Sequence, residues 1–469
     1  MAHKVTVYNT LSKKEEEFIP QKADQVLMYT CGVTVYDDIH IGHIRSLYFF
    51  ELVKRIFQYA GYSVKWARNI TDIDDKIINK AREVHGSGVE YSNVSAQYIE
   101  RFYEDLKAFD LDKADEEPLA TQTVDLMIDF IKDLIDKEYA YVTDTGVYFS
   151  VKKFAGYGKL SGQSIENLQE SVRLAQDETK KDPLDFALWK KSKDDEPVWD
   201  SPWMPGRPGW HIECSSMCHR FLAPTLDIHG GGVDLSFPHH ENERAQSEAF
   251  TGATFAQYWI HHGLIFVEGK KMSKSLGNFI TARAYLEKGA PDALKLFMLT
   301  TSYRSPLDFS WPSLQHASNE LVGLKKVLYY LNDVPDKDIS ELKHFAQEEE
   351  EFKSALCSDF DTPNALACLH FMQSKCIDGV TKAKGDIKDD EVLIEAKYVF
   401  KKMLAVLGVL KGFKVDPGLK KDIQQKILQR QEFRVNKEFQ KADAVRDELV
   451  AKGIVLEDLP GKRTVWYKE

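Results

Sequence analysis

The stretch Val26-Leu27-Met28-Tyr29-Thr30-Cys31-Gly32-Val33-Thr34-Val35-Tyr36-Asp37-Asp38-Ile39-His40-Ile41-Gly42-His43 decides the fold. Val26 to Thr30 is a short run of β-branched, aromatic and apolar residues, which reads as a buried strand. Cys31-Gly32-Val33-Thr34 turns the chain. Helical periodicity then runs from Ser46 to Tyr62 through Leu47, Phe50, Leu52, Val53, Ile56 and Phe57. Val64 to Asn69 has the composition of a second strand. Strand, helix and strand at this spacing make a βαβ unit and therefore a parallel sheet.

Outward from this unit, the chain reads as several further segments. The N-terminal residues to Val5 suggest an edge strand, with no basic and apolar leader pattern. Ser95 to Ala140 is helical. Tyr141 to Pro208 breaks into short strands, turns and charge, and is taken as an insertion. Leu226-Asp227-Ile228-His229 is a strand expected to enter a glycine loop, Gly230-Gly231-Gly232. His239 to Phe250 is a helix, Phe255 to Phe266 carries the last strand of the sheet, and Pro291 to Thr300 is a helix. Long amphipathic helices run from Ser313 to about Leu410. Val415-Asp416-Pro417-Gly418 is a linker candidate, and a small mixed domain follows it. The expected divisions are 1–140 and 209–265 for two halves of the first domain, 141–208 for its insertion, 266–315 for a linking segment, 316–412 for a helical bundle and 413–469 for the terminal domain.

With 469 residues the chain is too long for one ordinary core. Its hydrophobic fraction of 43% suits globular packing and argues against wholesale disorder. No apolar run reaches the roughly 20 residues of a membrane helix, so no membrane association and a cytoplasmic location are expected. The net charge of −11 argues weakly against nucleic-acid binding. Any claim of RNA binding must therefore rest on motifs. Six cysteines are scattered along the chain, which favours thiols or metal ligands over disulfides. Cys357, Cys368 and Cys376 lie among apolar helical residues and read as core.

Three constellations carry chemistry. His40-Ile41-Gly42-His43 opens a helix after the first strand. A helix N-terminus offers unpaired N–H groups and a positive dipole, and Gly42 lets a nucleotide approach the backbone. Two imidazoles there can donate to phosphate oxygens as charge builds. In Lys271-Met272-Ser273-Lys274-Ser275, two lysines bracket a loop suited to clamping the β- and γ-phosphates of ATP. Finally, Cys31, Cys214, His239 and Glu243 make a metal-ligand set of two thiolates, an imidazole and a carboxylate. His239 and Glu243 share a helix face at i, i+4. On spacing alone, His240 or Cys218 could substitute as ligands.

The pairing of His40-Ile41-Gly42-His43 with Lys271-Met272-Ser273-Lys274-Ser275 resembles the signature of class I aminoacyl-tRNA synthetases. Cys31-Gly32-Val33-Thr34-Val35-Tyr36-Asp37, Gly206-Arg207-Pro208-Gly209-Trp210-His211-Ile212-Glu213-Cys214-Ser215 and Phe237-Pro238-His239-His240-Glu241-Asn242-Glu243 look like the cysteinyl-tRNA synthetase family. The likeness extends over nearly the whole chain. Val33 stands where the family pattern has proline, and Met204 where it has glycine. The resemblance implies an α/β, Rossmann-like catalytic domain with an insertion, then an α-helical bundle and a small mixed C-terminal domain. It implies a ligase that activates L-cysteine with ATP and Mg²⁺ and loads it onto tRNA(Cys). It also implies one Zn²⁺ per chain on Cys31, Cys214, His239 and Glu243.

Further roles follow from the same likeness. His40, His43, Lys271 and Lys274 would be catalytic. Gly42, Gly232, Asp234 and Lys274 would hold ATP, with Asp234 near a ribose hydroxyl. Gly32, Thr34, Thr71, Trp210 and His229 would line the amino-acid site, with a helix N-cap as the other reading of Thr71 and packing as the other reading of Trp210 and His229. Arg434, Asp443, Arg446 and Trp466 resemble anticodon-binding positions, where bases are read by stacking and edge hydrogen bonds. Surface pairing is the other reading of the Arg/Asp pattern. Two competing functions remain at this level: a cysteine ligase that passes cysteine to a small amine, and an inactive RNA-binding paralogue. A monomer is expected.

Overall fold

A computed structural model of the chain describes residues 3–163, 179–272, 277–383, 387–460 and 463–468. It forms two compact units. The first comprises Met1–Lys288, Tyr303–Asp308 and Cys357–Phe360, and the second Gly289–Ser302, Phe309–Leu356 and Asp361–Glu469.

The centre of the first unit is a four-stranded parallel sheet. Its order is Ala256–His262, Leu226–Gly232, Gln25–Thr30 and Ser63–Arg68. Five of the six residues of Gln25–Thr30 are buried, as expected of a strand covered on both faces. The helix Ile41–Tyr59 makes the crossover between Gln25–Thr30 and Ser63–Arg68 and buries Leu47, Phe50, Leu52, Val53, Ile56 and Phe57. It begins five residues before the apolar periodicity does, because His40 caps it. Ligand sites of such sheets lie beyond the C-terminal ends of the strands. Those ends lead here into Cys31, Asn69, Gly232 and His262.

Several elements differ from expectation. The edge strand is Thr6–Asn9, paired with Lys14–Glu17. The helical region after Ser95 is two helices, Tyr91–Ala108 and Val124–Asp136, separated where Asp110 takes a positive φ of 50°. The glycines expected in a loop belong to the strand Leu226–Gly232. A Cβ on Gly230 would lie 2.3 Å from the Phe50 ring, so the sheet needs glycine there for the crossover helix to approach. Residues 140–208 include an antiparallel sheet of Ala140–Val142, Gly146–Phe149, Phe186–Lys191 and Gly206–Pro208.

The second unit is helical: Pro291–Leu299, Trp311–Tyr330, Ala346–Cys357 up to Leu356, Thr362–Lys382, Glu391–Leu407, Pro417–Val435 and Phe439–Val450, followed by the hairpin Ile454–Leu459 and Arg463–Lys468. The expected linker is a helix start, with Asp416 accepting from the Leu419 N–H at 2.6 Å and Pro417 in the first turn. No helix among the described residues is long and apolar enough to cross a membrane.

Candidate active site and metal centre

His40 and His43 close a reciprocal cap on the crossover helix. His40 Nδ1 accepts from the backbone N–H of Gly42 at 3.1 Å and of His43 at 3.3 Å. His43 Nδ1 accepts from the backbone N–H of His40 at 3.2 Å. An imidazole nitrogen that accepts carries no proton, so in both neutral rings the proton sits on Nε2. Burial, then the neighbouring His40 and Lys76, holds the His43 pKa well below the ordinary histidine range. The rings stack with centroids 3.7 Å apart. The cap thus fixes two neutral imidazoles, each with an Nε2–H donor.

Both histidines line a cavity of about 360 Å³, together with Cys31, Gly32, Thr34, Gly42, Trp210, Gly232, Asp234 and Lys271. The segment preceding Ala282–Leu286 pairs with this wall. Ile41 N–H donates to Ile280 O at 3.1 Å, and Ala282 N–H donates to Ile39 O at 2.8 Å. These bonds tie the chain just after the lysine loop to the histidine motif. Lys271 is exposed on the short strand Lys270–Lys271. Lys274 lies outside the described residues.

Below the cavity, Gly32 N–H donates to Asn69 Oδ1 at 2.8 Å, and Asn69 Nδ2 donates to Thr71 Oγ1 at 3.1 Å. Thr71 Oγ1 in turn donates to Glu213 Oε2 at 2.7 Å. Thr71 is buried and does not line the cavity. Nor does it cap a helix, since Asp74 caps Asp75–His85. Its place is in a chain of hydrogen bonds that fixes the Cys31–Gly32 turn. Asn69 and Glu213 were missed in the sequence because neither has a motif role visible without this chain. A Cβ on Gly32 would fall 1.6 Å from the Asn69 carbonyl oxygen. Gly32→Ala is expected to cost about 3 kcal/mol as the turn is forced from Asn69. A urea midpoint equal to wild type would contradict this packing.

Cys31, Cys214, His239 and Glu243 converge, with one donor atom from each within 4.8 Å of all the others. Cys31 Sγ lies 3.8 Å from Cys214 Sγ and 3.2 Å from Glu243 Oε1. Cys214 Sγ lies 3.6 Å from His239 Nε2, and His239 Nε2 2.8 Å from Glu243 Oε1. Cys218 is buried outside the group. His240 belongs to a second grouping, with Cys31, His229 and Glu243. Burial raises the Cys31 pKa well above the ordinary thiol value, and Cys214 and Glu243 raise it further. Two thiolates and a carboxylate this close in a buried pocket repel one another, and a divalent cation removes that repulsion. The cluster is compatible with a metal ion.

The second rank of contacts orients these donors. His229, buried and away from the cavity, meets Glu243 Oε2 at 2.7 Å. His211 Nδ1 meets His239 Nδ1 at 2.8 Å. Trp210 stacks on the His239 ring at 4.0 Å while facing the cavity. His239 sits in the turn Ser236–His240, and Glu243 in the helix Glu241–Thr251 that continues it.

The C-terminal candidates separate. Trp466 is 5% exposed and packs with Ile423, Ile427, Leu449, Ile454 and Leu456. It has no free ring face for a base, which corrects the expected stacking role. Trp466→Ala should lower the stability of the terminal subdomain by about 3–5 kcal/mol. A variant of wild-type urea stability that binds tRNA weakly would restore the stacking role. Arg434 is exposed and pairs with Asp458 at 2.8 Å, and Arg430 pairs with the same carboxylate at 2.9 Å. Asp443 and Arg446 are exposed on Phe439–Val450. Phe439, at the start of that helix, is 60% exposed and was not among the expected residues. An aromatic residue in the polar run from Arg434 to Lys441 was the available signal.

Comparison with known proteins identifies relatives over nearly the whole chain. The family described as tRNA synthetases class I (C) catalytic domain matches residues 17–319, and the DALR domain matches residues 351–411. A cysteine–tRNA ligase of Aquifex aeolicus is 44% identical over 491 residues, covering 98% of each chain. One from Persephonella marina is 43% identical and covers 99% of each. Among solved structures, the Mycobacterium tuberculosis methionyl-tRNA synthetase in complex with methionyl-adenylate superposes with a TM-score of 0.57 at 14% identity, over 82% of this chain and 90% of that one. That likeness speaks for the fold alone. The chain belongs to the cysteine–tRNA ligase family of class I aminoacyl-tRNA synthetases.

Proposed function

We propose that the chain activates L-cysteine with MgATP and transfers the cysteinyl group to tRNA(Cys), releasing AMP and pyrophosphate. The observation that carries this reading is that the histidine motif, Lys271 and Cys31, one of the four clustered candidate ligands, line one cavity.

The donor set fits Zn²⁺. Tetrahedral bonds of about 2.3 Å to sulfur and about 2.0 Å to nitrogen separate two sulfurs by about 3.8 Å, and sulfur from nitrogen by about 3.5 Å. The Cys31–Cys214 and Cys214–His239 separations are 3.8 and 3.6 Å. The second thiolate favours Cys31, Cys214, His239 and Glu243 over the grouping with His240, and the Glu243 contacts of 3.2 and 2.8 Å would lengthen on binding. Bound there, Zn²⁺ would supply a soft Lewis acid that takes a thiolate readily and a hydroxyl poorly.

The chain's own groups do the rest. The carboxylate of cysteine attacks the α-phosphorus of ATP, and pyrophosphate leaves. The Nε2–H groups of His40 and His43 donate to the phosphate oxygens where charge grows. Lys271 and Lys274 neutralise the departing pyrophosphate. Gly42 and Gly232 admit the nucleotide, and the Asp234 carboxylate accepts from a ribose hydroxyl. Gly32, Thr34 and Trp210 wall the amino-acid end. Thr71 and His229 act through Asn69 and Glu243 as positioning residues. On the terminal unit, Arg434, Asp443 and Arg446 with Phe439 form the surface we assign to the anticodon, with Phe439 in the stacking place lost by Trp466. We further propose a cytoplasmic monomer.

Charging of a tRNA(Cys) transcript with labelled cysteine tests the acceptor. Label that precipitates with the tRNA in acid and is released by mild alkali, as an aminoacyl ester is, is expected. Cysteine-dependent AMP formation with label only on an added small amine would favour the amine ligase.

A further inference from the structure

One buried side chain on the nucleotide side of the cavity is unused by this mechanism. His262 ends the strand Ala256–His262, lines the cavity and is 4% exposed. Its Nδ1 lies 2.9 Å from the carbonyl oxygen of Gly263. A carbonyl only accepts, so Nδ1 carries the proton and Nε2 presents a bare lone pair. Nε2 is buried and has no hydrogen-bond partner among the described residues. Burial pushes the His262 pKa down to about 4; the hydrogen bond to the Gly263 carbonyl opposes this, Arg45 adds a lesser push downward, and the ring stays neutral at working pH. The surroundings hold this tautomer in place. Arg45 donates to the carbonyls of Leu264, Tyr303 and Ser305 at 2.9, 3.0 and 2.7 Å, pinning the backbone that follows His262.

A buried acceptor left without a donor is costly, and because Nε2 is closed off here, a donor on a ligand in the cavity meets it only with a small shift of the ring. The shape near His262 says which. Phe49 and Phe50 flank its ring with centroids 6.0 and 6.1 Å away, and Leu47, Phe50 and Leu264 line the cavity. A Cβ on Gly232 would stand 3.6 Å from His262 Cε1 and 2.5 Å from Asp234 Oδ1. Gly232 therefore separates an exposed carboxylate, suited to hydroxyls, from a deeper neutral acceptor among apolar groups, suited to a flat base. Resting on the reading that this cavity takes ATP, we propose that His262 Nε2 accepts a hydrogen bond from the 6-amino group of adenine and makes the site selective for 6-aminopurine nucleotides.

The test is cysteine-dependent exchange of pyrophosphate into the triphosphate, with bound metal and thermal midpoint measured beside it. In the wild-type protein, KM for ATP should lie about tenfold below that for purine riboside triphosphate, which lacks the amino group. In His262→Phe, KM for ATP should rise about tenfold to meet that of the analogue, while the ratio of 2′-deoxy-ATP to ATP stays as in wild type. Equal wild-type KM values for the two purines would overturn the assignment without any variant. So would a His262→Phe protein that keeps its preference for ATP, or one that instead loses discrimination against 2′-deoxy-ATP. A wild-type protein that exchanges with no nucleotide would remove the activation reading itself, and this assignment with it.

Discussion

Cys214→Ser is expected to lose the bound metal and to lower kcat/KM for cysteine in the activation step on the order of a thousandfold. Cys214 is fully buried and lies 3.8 and 3.6 Å from Cys31 Sγ and His239 Nε2. A serine hydroxyl fills nearly the same space but is a hard donor that resists ionisation, so one of the four ligands is lost and Cys31, His239 and Glu243 remain. The remaining His239 and Glu243 then stay as a buried pair at 2.8 Å. Cys218→Ser is the matched control. Its thiol is equally buried on the same helix and lies outside the cluster, so metal should remain at about one per chain. Elemental analysis and cysteine titration read both. Retained metal in Cys214→Ser, or loss in Cys218→Ser, would move the site to another ligand set.

His43→Ala is expected to lower kcat for adenylate formation about 10²- to 10³-fold, the range for loss of a preorganised donor to developing charge. KM for cysteine and metal content should stay near wild type, because His43 touches neither the cluster nor its supports. The fold cost should be small, about 1 kcal/mol, since His43 supplies one acceptor to the His40 backbone at the helix start. Single-turnover rates and a urea titration separate the two effects. A loss of activity that tracks a loss of stability would reduce His43 to a capping residue.

The sequence carried the parallel sheet because its strand Gln25–Thr30 is buried on both faces and reads as an unbroken apolar run from Val26 to Thr30. It carried the candidate ligands because Cys31, Cys214, His239 and Glu243 are residue types with specific chemistry. It could not show the hydrogen-bond chain from Gly32 through Asn69 and Thr71 to Glu213, which joins residues far apart along the chain. Trp466 misled for a related reason. In the strand Arg463–Lys468 alternate side chains face opposite ways, and nothing local says which face meets Ile423 and Leu449. Gly230 to Gly232 read as a loop because glycine usually marks one, yet the strand needs Gly230 for the approach of Phe50. His262 was silent because its role depends on which ring nitrogen meets Gly263.

In the proposed mechanism one cavity couples a metal-held thiol to ATP. Pyrophosphate exchange into ATP, comparing cysteine with serine while bound zinc is quantified, tests it most directly. Exchange with cysteine, at most trace exchange with serine and about one zinc per chain is the predicted result. A folded, zinc-loaded protein that exchanges with no amino acid, or equally with serine, would contradict it.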